Sequence, residues 1–475
     1  MPMSGPRSSN RPQPFRSLRS WLRHLEATGR LATARPGLEL RFGVAAVAKR
    51  LDGAKATLFP QPAGAEGRRH DIPVVSGVVS DRGWIAEAIG AAPEELLDRY
   101  RDAVEHPLPW QEVAAADAPV QQLVERPPDL TRLPVPTHNE HDSGPYISAG
   151  LVIARNPRSG VQNVSINRLQ INGPDRMGVL ILPRHLHRFF DAAEQAGEAL
   201  PVAIAIGVDP CTLLASQAIT PIDFDELEVA GALQGAPLRV VKCVTSEVRV
   251  PAEAEIVIEG RLLPGVREEE GPFGEFPQYY GPPGRRPVIA VDAVTRRERP
   301  LFHTIVPAAM EHLLLGAIPR EASILALLQR SFPNLLDVHL SRGGVCRYHL
   351  YVKIRKRWEG EARNIIAGAF AAHADIKQVV VVDEDVDVHD PTAVEWAVAT
   401  RFQAGRDLVV LPRAQGSKLD PSADDGICDK MGLDATMPLA RDPFKFTTVH
   451  VPGEDRVDLA AAIVGERAPG GLLDD

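Results

Sequence analysis

Cysteine is scarce: the 475-residue chain holds 4, Cys211, Cys243, Cys346 and Cys428, far apart and without a CxxC pair. That excludes a zinc knuckle and leaves no disulfide framework, as expected for a reducing cytosol. No apolar run approaches the ~20 residues that cross a bilayer, so no membrane span is predicted. Basic residues are not in excess; the formal net charge is -9, whereas a nucleic-acid binder needs a cationic surface. The opening MPMSGPRSSNRPQPF has basic residues with no apolar stretch behind them, so it lacks the core of a secretory signal. It is expected to form a disordered arm over residues 1–14 of a cytoplasmic protein. Also missing are GxGxxG after a strand, GxxxxGK[ST], GxSxG and HExxH. Ordinary dinucleotide and P-loop sites, the nucleophile elbow and the zincin pair are thereby set aside.

What is present fits a globular protein: 44% hydrophobic and 24% charged residues, at a length that suggests two to four domains. In SLRSWLRHLEATGRL, Leu18, Trp21, Leu22 and Leu25 share one helical face and Gly29 follows as a terminal cap. Gly43–Leu51 and Pro93–Val104 are predicted helices and Val74–Val79 a strand, giving an α/β unit over 15–125. The proline-rich RPPDLTRLPVPTHNE leads out of it. Residues 126–310 carry short β-rich runs at Ser148–Arg155, Asn163–Ile171, Val179–Leu182, Pro201–Ile206, Leu238–Cys243, Ala254–Leu262 and Pro287–Val294. Helical patterns at Arg184–Ala196 and Asp225–Leu233 interrupt them. So many strands predict a barrel-like or strongly curved sheet. A helix at Ser323–Arg330, within a linking segment 311–335, leads into alternating strands and helices over 336–465. These are His349–Lys353, Glu361–Ala372, Gln378–Val382, Ala393–Thr400 and Asp407–Leu411. Residues 466–475 are expected to be a loose tail. The fold class is α/β (α+β) in three domains.

The most informative segment is REEEGPFGEFPQ, Arg267–Gln278, which sets Glu270 and Glu275 five apart around Gly-Pro-Phe-Gly. A regular strand would send such residues to opposite faces. Gly271, Pro272 and Gly274 forbid regular structure, so the backbone can curl and bring the carboxylates together. Two close carboxylates do not both ionise cheaply, and the one that keeps its proton is a general acid. A solvated acidic loop is the competing interpretation, since Glu268 and Glu269 precede the pair.

Three further pieces stand out. NVSINR places Asn163, Ser165 and Asn167 on one face of a predicted strand and Arg168 on the other. In RHLHRFF, His185 opens a helix just after a strand, where backbone amides attract anions; an exposed helical histidine is the alternative. Glu226 lies in a third helical segment, as a ligand or a surface acid. Asp383–Asp390, DEDVDVHD, lacks the mid-loop glycine and closing glutamate of a calcium loop and reads as a strand end running into a helix cap. His138 and His141, in the proline-rich crossing, are expected at the surface.

Together these segments resemble one family, the UbiD-like reversible decarboxylases that use prenylated flavin mononucleotide. The resemblance runs through LRSWLRHLEATGRL, NVSINRLQ, DELEVAGALQGAPLRVVKCVTSEVRVPAEAEIVIEG, EGPFGEFPQYYG and DKMGLDAT, most of the chain. It implies a central split β-barrel of flavin-reductase type between an N-terminal α/β cofactor domain and a C-terminal α/β oligomerisation domain, in a homodimer or homohexamer. It implies Arg168, Glu270 and Glu275 as the catalytic network. Asn163, His185 and Glu226 would ligate Mn2+ or Mg2+ at the flavin phosphate, with His187 competing for the place of His185. Ala215, Ser216, Ala218 and Glu226 would hold K+. Ile166, Asn167 and Arg168, with Leu182, Pro183, Arg184 and His185, would cradle the cofactor, and Lys430 would reach the phosphate. The implied reaction runs through a covalent substrate–cofactor adduct, with Glu275 as proton donor and a flavin prenyltransferase supplying the cofactor. An oxygen-rich ligand set with one imidazole suits manganese or magnesium, and the flavin supplies the electron sink that side chains lack.

For the substrate, Phe273, Tyr279, Tyr280, His303, Met310 and His312 are candidate walls, with His303 and His312 either reaching a ring heteroatom or simply packed. No Arg or Lys lies between Leu301 and Ile318, which predicts an aromatic or heteroaromatic monocarboxylic acid, released as CO2 and the decarboxylated ring. The alternatives are a non-aromatic α,β-unsaturated acid from natural-product biosynthesis, or a catalytically silent flavin-binding relative.

Overall fold

The computed structural model describes residues 13–64, 67–440, 442, 444–463 and 465. Most of the expected arm and the whole expected tail therefore lie outside the described residues. Leu18–Ala27 is helical, capped by the Ser17 hydroxyl, and buries the stripe Leu18, Trp21, Leu22 and Leu25. The Trp21 indole N–H donates to the Val78 carbonyl at 2.7 Å, fixing the helix on a four-stranded sheet. That sheet runs Leu31–Thr33, Ala56–Phe59, Val74–Ser76 and Phe302–His303. Its last strand, within the expected 126–310 unit, comes after the central sheet's strands and pairs with Val74–Ser76, so two distant parts of the chain share one core.

The central sheet is antiparallel and, among the described residues, has nine strands. Its path begins with Tyr146–Ile147, Leu169–Ile171, Arg176–Val179 and Gly284–Arg296, and continues with Ile256–Glu270, Leu200–Ile206, Leu151–Arg155 and Gln162–Ile166. Leu123–Glu125 pairs beside Gly284–Arg296. Gln162–Ile166 is one edge, while Leu169–Ile171 lies next to the other edge. Only Asn167 and Arg168 separate them in sequence, so the Cα atoms of Ile166 and Leu169 are no more than about 11 Å apart. The sheet must curl almost to closure, and Arg168 sits at its seam. The expected continuous strand Asn163–Ile171 is thus two strands: the chain leaves one edge of the curled sheet and joins the other. Arg176–Val179 replaces the expected Val179–Leu182, because Arg176–Val179 has hydrogen-bonding neighbours on both sides, whereas Pro183 has no N–H to continue a ladder.

Helix Met310–Ser331 joins the central and C-terminal units and keeps Pro319 inside it; its first half was hidden by that proline. On this helix Glu321 is fully buried and takes bonds from Arg82 at 2.5 Å, His339 at 3.1 Å and the Leu340 N–H at 2.8 Å. One carboxylate on the linking helix therefore ties the N-terminal unit to the C-terminal sheet. The C-terminal sheet runs Leu335–Leu340, His349–Ile354, Gln378–Asp383, Ile427–Asp434 and Leu408–Gln415. DKMGLDAT supplies its fourth strand, which polar spacing had disguised: alternate residues are buried, Lys430 among them. Asp383 ends a strand and Asp390 caps helix Pro391–Arg401, as the acidic run predicts. All four cysteines are free and buried. Among the described residues no helix is long and apolar enough to cross a membrane.

Candidate active site

The long strand Ile256–Glu270 ends on a carboxylate that is fully buried. Gly271 then takes φ +83°, a conformation that costs a glycine little, and the chain doubles back through the short pair Phe273–Gly274 and Tyr280–Gly281. This reversal brings Glu275 to the side of Arg168 opposite Glu270. The guanidinium bridges both: Nη2 donates to Glu270 Oε2 at 2.8 Å and Nη1 to Glu275 Oε1 at 2.5 Å. Burial pushes the Glu275 carboxyl above its usual range, with help from Glu270 and Asp142 and against the pull of Arg168. Burial acts to lower the Arg168 pKa, but its two carboxylates outweigh that and the net shift is upward. The arrangement is a fixed cation between two acids, one of them inclined to hold a proton. Phe273 lies under the guanidinium, ring centroid 5.4 Å away, and against Tyr146 at 4.3 Å.

Across the seam, His185 Nδ1 meets Asn163 Oδ1 at 3.1 Å. Glu226 Oε2 accepts the Val164 N–H at 2.7 Å, so the carboxylate lies beside Asn163. The structure thus brings Asn163, His185 and Glu226 together, whereas His187 turns to Asp191 at 2.8 Å on the outer face of the helix. Glu226 is 2% exposed, and burial without a compensating cation raises its pKa to about 8. The Asn163 Nδ2 is buried and unbonded. A buried carboxylate, an amide and an imidazole converging this way fit a hard divalent cation.

Helix Pro210–Ala215 ends in a tight turn through Ser216 and Ala218, and Thr220 Oγ1 donates to Glu226 Oε1 at 3.2 Å, which sets that turn beside the same carboxylate. Asn167 Nδ2 donates to the Leu180 carbonyl at 3.0 Å, tying Ile166–Arg168 to the loop of Leu182, Pro183 and Arg184. Lys430 stands apart. Its Nζ donates to the Ala374 carbonyl at 2.8 Å and faces the Phe370 ring; among the described residues no bond joins it to Asn163, His185 or Glu226.

The candidate pocket walls divide. Phe273 lies at the network, and the Tyr280 hydroxyl accepts the His141 N–H at 3.2 Å at the surface. His303 is fully buried in the N-terminal sheet with Nε2 on Glu311 at 3.1 Å and Nδ1 without a hydrogen-bond partner among the described residues. His312 is held neutral, burial taking its pKa to about 3, and its Nδ1 accepts the Ala308 N–H at 3.2 Å. His138, expected at the surface, is 5% exposed and bonded to Thr304 Oγ1 at 2.8 Å. The crossing segment is wedged between the N-terminal and central sheets, which the proline count did not reveal.

Four residues were missed by sequence reasoning. Tyr146 and Gln170 converge behind Glu270 (see below). Arg347 donates from Nη1 to the Leu313 and Cys346 carbonyls at 3.0 and 2.8 Å, and its guanidinium lies 5.2 Å from the ring of Phe276, the residue after Glu275. Arg320 donates from Nη1 to the Gly316 carbonyl at 2.5 Å and from Nε to His373 at 3.2 Å. Neither guanidinium is salt-bridged to a carboxylate among the described residues; burial lowers the affinity of both for protons, Arg347 to about 10. The 301–318 segment indeed lacks cations, yet Arg320 follows it on the same helix and the fold brings Arg347 against that helix.

Comparison with known proteins bears on the family and the fold. Three family profiles match in order: the 3-octaprenyl-4-hydroxybenzoate carboxy-lyase N-terminal domain over residues 22–104, its Rift-related domain over 111–310 and its C-terminal domain over 313–435. Anhydromevalonate phosphate decarboxylase of Methanothermobacter thermautotrophicus is 43% identical over 374 residues, 78% of this chain and 87% of that one. The UbiD-class enzyme HmfF from Pelotomaculum thermopropionicum, solved in complex with FMN, superimposes with a TM-score of 0.91 at 50% identity, covering 94% of this chain and 100% of that one. An evolved dimeric form of the same enzyme was solved with prFMN. The 3,4-dihydroxybenzoic acid decarboxylase from Enterobacter cloacae gives 0.84 at 30% identity over 92% and 98%. With all three domains matched in order and an Arg-Glu-Glu network at the seam of the curled sheet, the chain belongs to the UbiD family and is a carboxy-lyase.

Proposed function

We propose that the enzyme reversibly decarboxylates a small planar unsaturated acid, with an aromatic or heteroaromatic ring as the first candidate, that carries a second anionic group. The observation that carries the decarboxylase reading is Arg168 bridging Glu270 and Glu275. Prenylated FMN would be held between the Ile166–Arg168 seam and the Leu182–His185 loop. Asn163, His185 and Glu226 would ligate Mn2+ or Mg2+ at its phosphate, and the turn at Ala215, Ser216 and Ala218 would hold K+ beside Glu226. When bound, the flavin supplies the electron sink that stabilises the carbanion left by CO2. Arg168 would hold the substrate carboxylate by charge-assisted hydrogen bonds. The carbon–carboxylate bond breaks, CO2 departs, and Glu275 delivers its proton to that carbon, leaving a carboxylate that solvent reprotonates. Glu270 anchors Arg168.

The second anion rests on Arg320 and Arg347. Buried charges are ordinarily paired, and two guanidiniums spending donors on backbone carbonyls next to His312 leave a cationic patch for a carboxylate or phosphate. This replaces the monocarboxylate expectation. A non-aromatic α,β-unsaturated acid is the second reading, favoured by relatives that act on anhydromevalonate phosphate. The exposed Val410 and Leu411 on the sheet-edge strand Leu408–Gln415, with Met431 on its neighbour, support self-association through the C-terminal domain.

The test is co-expression with a flavin prenyltransferase, followed by absorbance and mass spectra, metal analysis and a substrate panel. Bound prenylated flavin with about one divalent metal, and turnover of dianionic acids above their monoanionic counterparts, is expected. A protein that stays flavin-free beside a working prenyltransferase would overturn the cofactor assignment. Equal turnover of both substrate sets would remove the second anion.

A further inference from the structure

Glu270 and Glu275 both touch Arg168, so the guanidinium alone does not decide which carboxylate keeps a proton. The asymmetry comes from the other side. Tyr146 Oη lies 3.1 Å from Glu270 Oε1, the oxygen that Arg168 leaves free. The same hydroxyl accepts the Gly271 N–H at 3.0 Å and lies 2.9 Å from both Ser143 Oγ and Gln170 Oε1. Gln170 Oε1 already accepts from Ser143 Oγ at 3.0 Å and from the Gly271 N–H at 3.1 Å. A phenol has one proton to give. Ser143 Oγ gives its proton to Gln170, and the Gly271 N–H is shared between Gln170 and the phenolic oxygen; of the acceptors within reach, the Glu270 carboxylate paired with Arg168 is the strongest. Both Glu270 oxygens then accept, one from Arg168 and one from Tyr146, and hydrogen bonds donated to both oxygens favour the carboxylate over the carboxylic acid. Among the described residues Glu275 has no comparable second donor: beyond Arg168, its charged neighbours are Glu270 and Asp142, which disfavour its ionisation. Behind Phe273, His138 is neutral and adds no charge.

We propose that Tyr146 is a positioning residue that fixes Glu270 as the permanent anion of the pair and so leaves the transferable proton on Glu275. Gln170 and Ser143 hold the phenol in place, and the Phe273 ring packs against Tyr146 on one side and the Arg168 guanidinium on the other. The proposal rests on Arg168, Glu270 and Glu275 being the reaction centre, but it concerns the protein's own acids and can be read without cofactor.

The test is the infrared carboxyl titration of the cofactor-free protein, following the protonated-carboxyl band that Glu275→Gln removes. In Tyr146→Phe, which keeps the ring and its packing, Glu270 loses a donor and holds its charge less well. Its repulsion of Glu275 weakens and Arg168 swings toward Glu275. The Glu275 midpoint should fall by about one pH unit, and the basic limb of kcat in the loaded enzyme should fall with it. kcat should drop about tenfold to a hundredfold, as expected for one hydrogen bond to a charged group, with KM nearly unchanged. A midpoint that stays put or rises would overturn the proposal, whatever happens to kcat. Glu270→Gln combined with Tyr146→Phe should shift the midpoint no further than Glu270→Gln alone; an additive shift would mean that Tyr146 acts by another route. Should Tyr146→Phe fail to fold, Gln170→Leu removes a competing acceptor 2.9 Å from the phenol while Ser143 still holds the hydroxyl, and a downward shift in that variant would be equally fatal. A normal carboxyl titration in a protein that decarboxylates nothing when loaded would count against the proposed function and leave the Tyr146 assignment standing.

Discussion

Gly316→Ala is the sharpest probe of the cationic patch. A Cβ at this position would lie 1.6 Å from Arg347 Nη2, 2.2 Å from Cζ and 2.7 Å from Nη1. The atoms met are the flexible end of the Arg347 side chain, so the guanidinium turns out of the notch in helix Met310–Ser331. It gives up its bonds to the Leu313 and Cys346 carbonyls, charge-assisted contacts of roughly 1.5–3 kcal/mol each, but it regains hydration. Alanine also favours the helix by about 1 kcal/mol over glycine. These opposing effects leave a net stability change of about 1–2 kcal/mol, readable as a small shift in Tm. Substrate recognition has no such compensation. Removing one guanidinium from an anionic group costs roughly 1.5–3 kcal/mol, or about 10- to 150-fold in kcat/KM. Matched acids with and without a second carboxylate or phosphate should therefore diverge: the dianionic member falls by that factor and the monoanionic one changes by no more than about threefold. Arg347→Ala should reproduce the split without the steric cause. If both substrates fall equally in both variants, Arg347 supports the fold and not the second anion, and the reasoning fails.

Glu275→Gln should retain flavin and metal while kcat drops by about 10²–10⁴, the range for loss of a general acid; undiminished turnover would refute its role as proton donor. His185→Ala should lose divalent metal and flavin together, whereas His187→Ala, removing a surface contact with Asp191, should keep both; metal analysis of the two purified variants decides. Burial alone would raise the pKa of Glu321, but Arg82, His339 and the Leu340 N–H outweigh it and hold it at about 2 against an ordinary 4.5. The depressed value contributes roughly 3 kcal/mol of stability, fully present above about pH 4.5 and lost as pH falls from there through 2. Arg82→Ala should remove about 3–5 kcal/mol at neutral pH by stranding a buried charge, and its denaturation midpoint should vary less between pH 5 and 3 than that of the parent.

The helix stripe Leu18–Leu25, the density of short strands in the centre and the strand–helix alternation at the end were legible because period and breaker residues are local properties. The Gly-Pro-Phe-Gly curl was legible for the same reason: Gly271 and Pro272 dictate a reversal, whatever surrounds them. Less was legible where a residue's meaning depends on a distant partner. His138 looked superficial inside prolines but lies between two sheets. DKMGLDAT hid a strand because Lys430 occupies a core-facing position, and His303 looked like a wall until Glu311 claimed it.

The sequence by itself determined the curved central sheet, the pair of acids and, through resemblance, the family, since each is written in contiguous residues and their spacing. Only the tertiary structure decided that the sheet curls until Ile166 and Leu169 nearly meet and set Arg168 between its two glutamates. Only it could set Tyr146 behind Glu270, and Arg347 against the first turn of a helix whose own first residues carry no cation. Contacts between residues a hundred or more positions apart depend on how the chain closes on itself, and no local pattern encodes that closure.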